Sequence, residues 1–178
     1  YKNFQSLVAL EGGNLIVELQ NNDSKNASAS RHENDWVLSF GGAIVKSYLS
    51  DEAFRLLLCH ELGHHLGGAP FKFAGDSQYH WVSAEGQADY FAGRYCAEKM
   101  ISNLSERESA AEELANYWWK KKRKRVFPPP SLQRKSQKVV EATLLKHPSA
   151  QCRLDTFLAA FSCSGISDCR PACWFRAD

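Results

Sequence analysis

No apolar run in this chain approaches the roughly 18 residues that a membrane span needs, so no segment reads as one. An excess of charge of one sign is also lacking. The 22 Lys and Arg residues stand against 20 Asp and Glu, a net of +2. That balance gives no reason to expect a nucleic-acid partner. No internal repeat is present, which excludes solenoids and repeat arrays. The chain begins at Tyr1 rather than Met, which reads as a processed or trimmed product.

What is present describes an ordinary globular chain with one unusual feature. Its 178 residues suit a single domain, 1–178, with a hydrophobic core that does not depend on cross-links. Apolar residues make up 44% and charged residues 24%, both normal for such a domain. The unusual feature is six cysteines, four of them within a cysteine-rich C-terminus, 152–173. An even count placed this way points to disulfides and an oxidising compartment, periplasmic or extracellular. Asn26-Ala27-Ser28 and Asn103-Leu104-Ser105 match a glycosylation pattern that matters only in a eukaryotic secretory protein.

The pattern along the chain predicts an α+β fold. Leu15 to Leu19 and Trp36 to Phe40 read as strands, the second with Trp36, Leu38 and Phe40 on one face. The polar stretch 20–35 between them reads as a loop, and Ala43 to Tyr48 as either strand or helix. Ser50 is placed to cap a helix that Gly67, Gly68 and Pro70 end. An aromatic-rich loop, 69–82, follows it. Ser83 is expected to cap a helix running toward Met100, and Ser105 to open another through a capping box with Glu108. A basic and proline-rich connection at about 118–130 should separate these from a helix over Gln133 to Leu145 and a last helix holding Leu154, Phe157, Leu158 and Phe161.

The chemistry is concentrated in His60-Glu61-Leu62-Gly63-His64, an HExxH pattern. Positions i and i+4 share a helix face, so His60 and His64 can direct two nitrogens at one metal ion. Glu61 is offset around the helix and can reach a water on that ion instead. A catalytic zinc site takes three protein ligands and one open position. Glu85, opening Glu85-Gly86-Gln87-Ala88-Asp89 on a second helix, supplies the third. Asp89, one turn on, can accept the spare N–H of a ligand histidine. The expected cofactor is one Zn2+ per chain.

HExxH followed by ExxxD resembles the gluzincin zinc peptidases. Within them the chain is most similar to the HtpX-like group, which includes the CAAX prenyl proteases. Gly41-Gly42-Ala43-Ile44-Val45, Asp51-Glu52 ahead of HExxH, and His147-Pro148 followed by Arg153 carry that narrower resemblance. It implies a zincin-like helical core with a small edge sheet at the cleft, where a substrate adds as a strand. It further implies Glu61 as general base, His147 beside the developing oxyanion, and Arg153 holding substrate or that histidine. Tyr79, His80 and Tyr90 are rival donors. Members of the group commonly carry membrane helices and few cysteines, and this chain departs from both. The activity implied is zinc-dependent endopeptidase action on a protein or peptide, by a metal-activated water. The alternative is a non-proteolytic zinc-binding chaperone or interaction protein using the same cleft.

Cys59 adjoins a ligand, and Cys96 lies seven residues after Asp89 on the same helix face, so a Cys59–Cys96 bridge would clamp the two metal-bearing helices, the alternative being two buried thiols. A helix between Cys152 and Cys163 would hold them roughly 16 Å apart, so each should pair with Cys169 or Cys173. A second zinc site from these four is the competing reading. The run Lys120 to Arg125 reads as a solvated helix end, or as a docking patch for an acidic partner or polyanion together with Trp118 and Trp119. His65 reads as a packing residue, and His32 as solvated.

Overall fold

Strand pairing around Asp35–Phe40 shapes the first part of the chain in this computed structural model, which describes residues 2–47, 49–72, 79–121, 127–140 and 146–176. The architecture is α+β, as expected, and divides into two compact units, 1–49 and 50–178.

In the first unit, α1 (Lys2–Leu10) leads into β1 (Asn14–Leu19), β2 (Ala27–His32), β3 (Asp35–Phe40) and α2 (Gly42–Ser47). The sheet order is β1-β3-β2, with β1 parallel and β2 antiparallel to β3. The central strand carries the apolar run, and its Trp36, Val37, Leu38 and Phe40 are all buried. One expectation needs correction here. The stretch 20–35, read as a loop, contains β2. Its sequence Ala-Ser-Ala-Ser-Arg-His has no buried apolar face to signal a strand, and backbone pairing with β3 holds it. Ala43 to Tyr48 resolves to helix over its described part, and α1 carried no expectation although Phe4 and Val8 on it are buried.

The second unit is helical. Its centre is α3 (Asp51–Leu66), buried without a break from Leu56 to His65. Ser50 caps it by accepting from the Ala53 N–H, and Glu113 accepts from both the backbone N–H and the hydroxyl of Ser50. Gly67 ends it, as expected. Helices α4 (Glu85–Phe91), α5 (Ala97–Met100), α6 (Leu104–Lys121) and α7 (Ala150–Ser162) follow, with a π-helical turn at Ala92–Cys96 joining α4 to α5. Helix α3 packs on α4 and α6, and α7 packs on α4 and α6.

Three helix expectations are corrected. Ser83 does not cap α4, because its hydroxyl bonds the Gly68 carbonyl. Asn103, not Ser105, caps α6: its side-chain oxygen accepts from the Ser105 N–H. Residues 133–140 are not helical, and 141–145 lie outside the described residues. The segment is strapped down instead. Gln151 and Asp155 on α7 accept from the N–H groups of Ser131 and Ser136, and the Val140 N–H reaches the Ala172 carbonyl. Backbone groups satisfied by α7 side chains have no need of an intrahelical partner.

The six cysteines form three disulfides, Cys59–Cys96, Cys152–Cys173 and Cys163–Cys169, with Cα separations of 5.6, 5.9 and 5.8 Å. The first links α3 to the π-helical turn. The other two use all four C-terminal cysteines, which removes the second zinc site as a reading. No described helix is long and apolar enough to cross a membrane.

Gly63 sets how closely α3 and α4 approach. A Cβ there would lie 2.6 Å from the Ala88 carbonyl oxygen and 2.8 Å from its Cα, both backbone atoms that cannot swing away. Gly63→Ala is therefore expected to cost about 1–3 kcal/mol through overpacking, measured by urea unfolding. The Cys59→Ala/Cys96→Ala pair opens a loop spanning a separation of 37 residues, and should lower stability by about 2–5 kcal/mol in the same assay.

Candidate metal centre

The last turns of α3 and the first turn of α4 bring His60, His64 and Glu85 together in the interior. Their ligand atoms all lie within 4.8 Å of one another. Glu85 Oε2 is 3.5 Å from His60 Nε2 and 3.8 Å from His64 Nε2. Ligands about 2.0–2.2 Å from a common ion, tetrahedrally placed, are separated by roughly 3.3–3.6 Å, so the spacing suits one metal ion.

The two imidazoles present the right nitrogen for a fixed reason. His60 Nδ1 lies 2.8 Å from Asp89 Oδ1, and His64 Nδ1 lies 2.8 Å from the Ser83 carbonyl oxygen. A carboxylate and a carbonyl can only accept, so both Nδ1 atoms donate and the Nε2 atoms are the ones turned toward Glu85, with Arg153 Nη2 also 3.3 Å from His60 Nε2. Two imidazole nitrogens, that of His60 once its proton is displaced, and one carboxylate oxygen form a donor set that fits a divalent ion with a position left open. The residues present can hold a metal ion.

Around this triad lies a buried ionic network. Arg153 on α7 donates from Nε to Asp89 Oδ2 at 2.7 Å and from Nη2 to Oδ1 at 2.8 Å. Its guanidinium carbon sits 3.1 Å from the Trp118 ring centroid, and the Trp118 ring meets His60 at 5.5 Å. Glu61 is buried, with Oε1 4.0 Å from His60 Nε2. On the outer side of Glu85, Oε1 accepts from Lys72 Nζ at 2.8 Å and lies 3.2 Å from His147 Nε2. The His147 side chain is 60% exposed, so it stands at the rim.

Electrostatics follow from burial and these partners. Burial works against a charged His60, but Asp89 outweighs it and pushes the imidazolium up to about 9. Burial first, and then His60, lower His64 to about 4. Glu61 is pushed up to about 7, chiefly by burial. Burial also opposes ionisation of Glu85 and Asp89. His60 and His64 overcome it at Glu85, Arg153 and His60 overcome it at Asp89, and both carboxyls stay well below the usual range.

The sequence-derived site residues thus fall in one place: His60, His64, Glu85, Glu61, Asp89, Arg153 and His147. Among the rivals, Tyr90 turns the other way, its hydroxyl meeting Cys163 Sγ and the Cys169 N–H. His65 stacks on Trp81 at 4.8 Å. Lys120 and Lys121 end α6, while 122–125 of the basic run lie outside the described residues. Three contributors escaped the sequence reading. Trp118 reads from the sequence only as part of the basic run's patch, whereas its place on α6, which packs on both α3 and α7, puts it over Arg153. Lys72 and the Ser83 carbonyl come from a loop and carry no motif.

No family model, curated protein or solved structure matches this chain.

Asp89 is fully buried, so Arg153→Met leaves a charge without its main partner. The expected loss is about 3–5 kcal/mol, read by urea unfolding. Loss of metal affinity should accompany it, because Asp89 then no longer holds His60 in one orientation.

Proposed function

We propose that this chain is a zinc-dependent endopeptidase of the HtpX-like gluzincin type, acting in a periplasmic or extracellular compartment. One observation carries the reading. His60 and His64 Nε2 and Glu85 Oε2 converge on one point, and the Glu61 carboxylate stands 4.0 Å from His60 Nε2. Structural zinc sites close all four positions with protein ligands, whereas three ligands plus a nearby carboxylate is the arrangement of a hydrolase.

His60, His64 and Glu85 would hold the ion, which supplies Lewis acidity toward a carbonyl and makes water acidic enough to attack near neutral pH. Glu61 takes the proton of the attacking water and passes it to the leaving amine. His147, at the exposed rim, donates a hydrogen bond toward the oxygen that gains charge. Asp89 and Arg153 do no chemistry. They fix the His60 ring and neutralise each other's charge. The three disulfides support an oxidising compartment.

The test is Glu61→Gln, assayed on an unfolded protein substrate with metal content measured in parallel. The variant should keep its zinc and lose at least about 100-fold in cleavage rate. Unchanged cleavage would remove Glu61 as the base. A wild-type protein that binds zinc and cleaves nothing would instead favour the non-proteolytic interaction protein.

A further inference from the structure

We propose that Lys72 is a positioning residue of the metal centre: its ammonium occupies the outer oxygen of Glu85, so that the carboxylate meets the ion through one oxygen only. The inference rests on the metal-centre reading above. The two oxygens of Glu85 have different surroundings. Oε2 faces the two histidine Nε2 atoms, at 3.5 and 3.8 Å. Oε1 accepts from Lys72 Nζ at 2.8 Å, with His147 Nε2 at 3.2 Å. Glu85 is 3% exposed, so these partners rather than water decide how the carboxylate is turned.

Lys72 reaches this oxygen because the loop ahead of α4 is pinned. The Lys72 N–H donates to the Val82 carbonyl at 2.6 Å, and the Ala84 N–H to the Pro70 carbonyl at 2.8 Å. Phe71 and Ser83 pair as an antiparallel bridge. The same short ladder presents the Ser83 carbonyl to His64. One local structure therefore orients a ligand histidine and delivers the cation that holds the ligand carboxylate.

A carboxylate can bind a metal ion through one oxygen or both. A charge-assisted bond to Oε1 keeps that oxygen from turning inward and leaves a coordination position open. The ammonium also repels a divalent ion across the carboxylate. Removing most hydrogen-bonding partners of a metal ligand weakens metal binding. Removing Lys72 should do the reverse, because the second oxygen and the lost repulsion both favour the ion. Lys72 thus trades affinity for an open position.

The experiment loads the full chain with cobalt(II) in place of zinc and compares wild type, Lys72→Met and Lys72→Arg. Affinity is read by competition with a chelator, and coordination number by the visible absorption of the cobalt. Lys72→Met should bind at least about tenfold more tightly and show the weaker absorption of a higher-coordinate ion. Lys72→Arg keeps the charge and the donor and should match wild type. Equal or weaker affinity in Lys72→Met, or unchanged absorption, overturns the role of Lys72 while leaving the three-ligand site intact. A wild-type chain that takes up no ion overturns the site itself and this inference with it. Circular dichroism and thermal unfolding of the chelator-treated variants identify any loss of fold, which the partly exposed Lys72 side chain gives no reason to expect.

Discussion

The burial of Asp89 is the constraint on which the helical unit depends. A carboxylate with no solvent contact needs its charge matched within the protein. Helix α4 carries it, α7 supplies the two bonds of Arg153, and α3 supplies His60. Helix α6 closes the guanidinium face with Trp118. Four helices are thus held in register by one ionic group. The direction of His60 Nε2 is a consequence of that arrangement, because Nδ1 is committed to Asp89. The candidate metal centre lies on the inner face of a structural ion pair.

An ion pair of this kind tolerates little variation in helix spacing, and two features of the α3–α4 side hold it. Gly63 lets the α3 backbone rest on the backbone of Ala88, and Cys59 is bonded to Cys96 on the π-helical turn. Both residues lie within the HExxH segment or directly before it. Tyr90, next to Asp89 in sequence, faces a different environment, a cluster with Cys152, Cys163, Cys173 and Trp174. Adjacent helical positions point about 100° apart. One face of α4 therefore serves the candidate metal centre while another is secured by the C-terminal disulfides.

The centre was legible in the sequence wherever helical periodicity governs it. The i, i+4 spacing of His60 and His64 and of Glu85 and Asp89 fixes which side chains share a face, and that relation holds in any fold that keeps the helices. The disulfide from Cys59 to Cys96 followed from the same geometry. Legibility stopped where backbone pairing or loop placement decides. Strand β2 has no apolar alternation, so only its partner β3 reveals it. Residues 133–140 take a non-helical course in which Gln151, Asp155 and Ala172 satisfy backbone groups of Arg134, Ser136 and Val140. The partners of those backbone groups lie on a later helix and beyond it, out of reach of any local pattern. The α+β class survived these errors because it depends on the strong periodic segments alone.

Loop placement matters most at Glu85, where the site is least symmetrical. The inner oxygen belongs to the histidines and the outer one to groups from outside the two ligand helices: Lys72 from the loop and His147 from the stretch before α7. A carboxylate buried between them cannot rotate without giving up a charged partner on one side or a histidine on the other. His147 and Lys72 also differ in kind. His147 stands at the rim, where a substrate oxygen could replace Glu85 as its partner, whereas the Lys72 side chain is more enclosed and its backbone is tied into the ladder. Geometry therefore divides the two nitrogen partners of the outer Glu85 oxygen between an exposed one and a fixed one. The fixed partner is the residue that no motif marks, because what holds Lys72 in place is backbone pairing on either side of the loop, and backbone pairing leaves no trace in side-chain spacing.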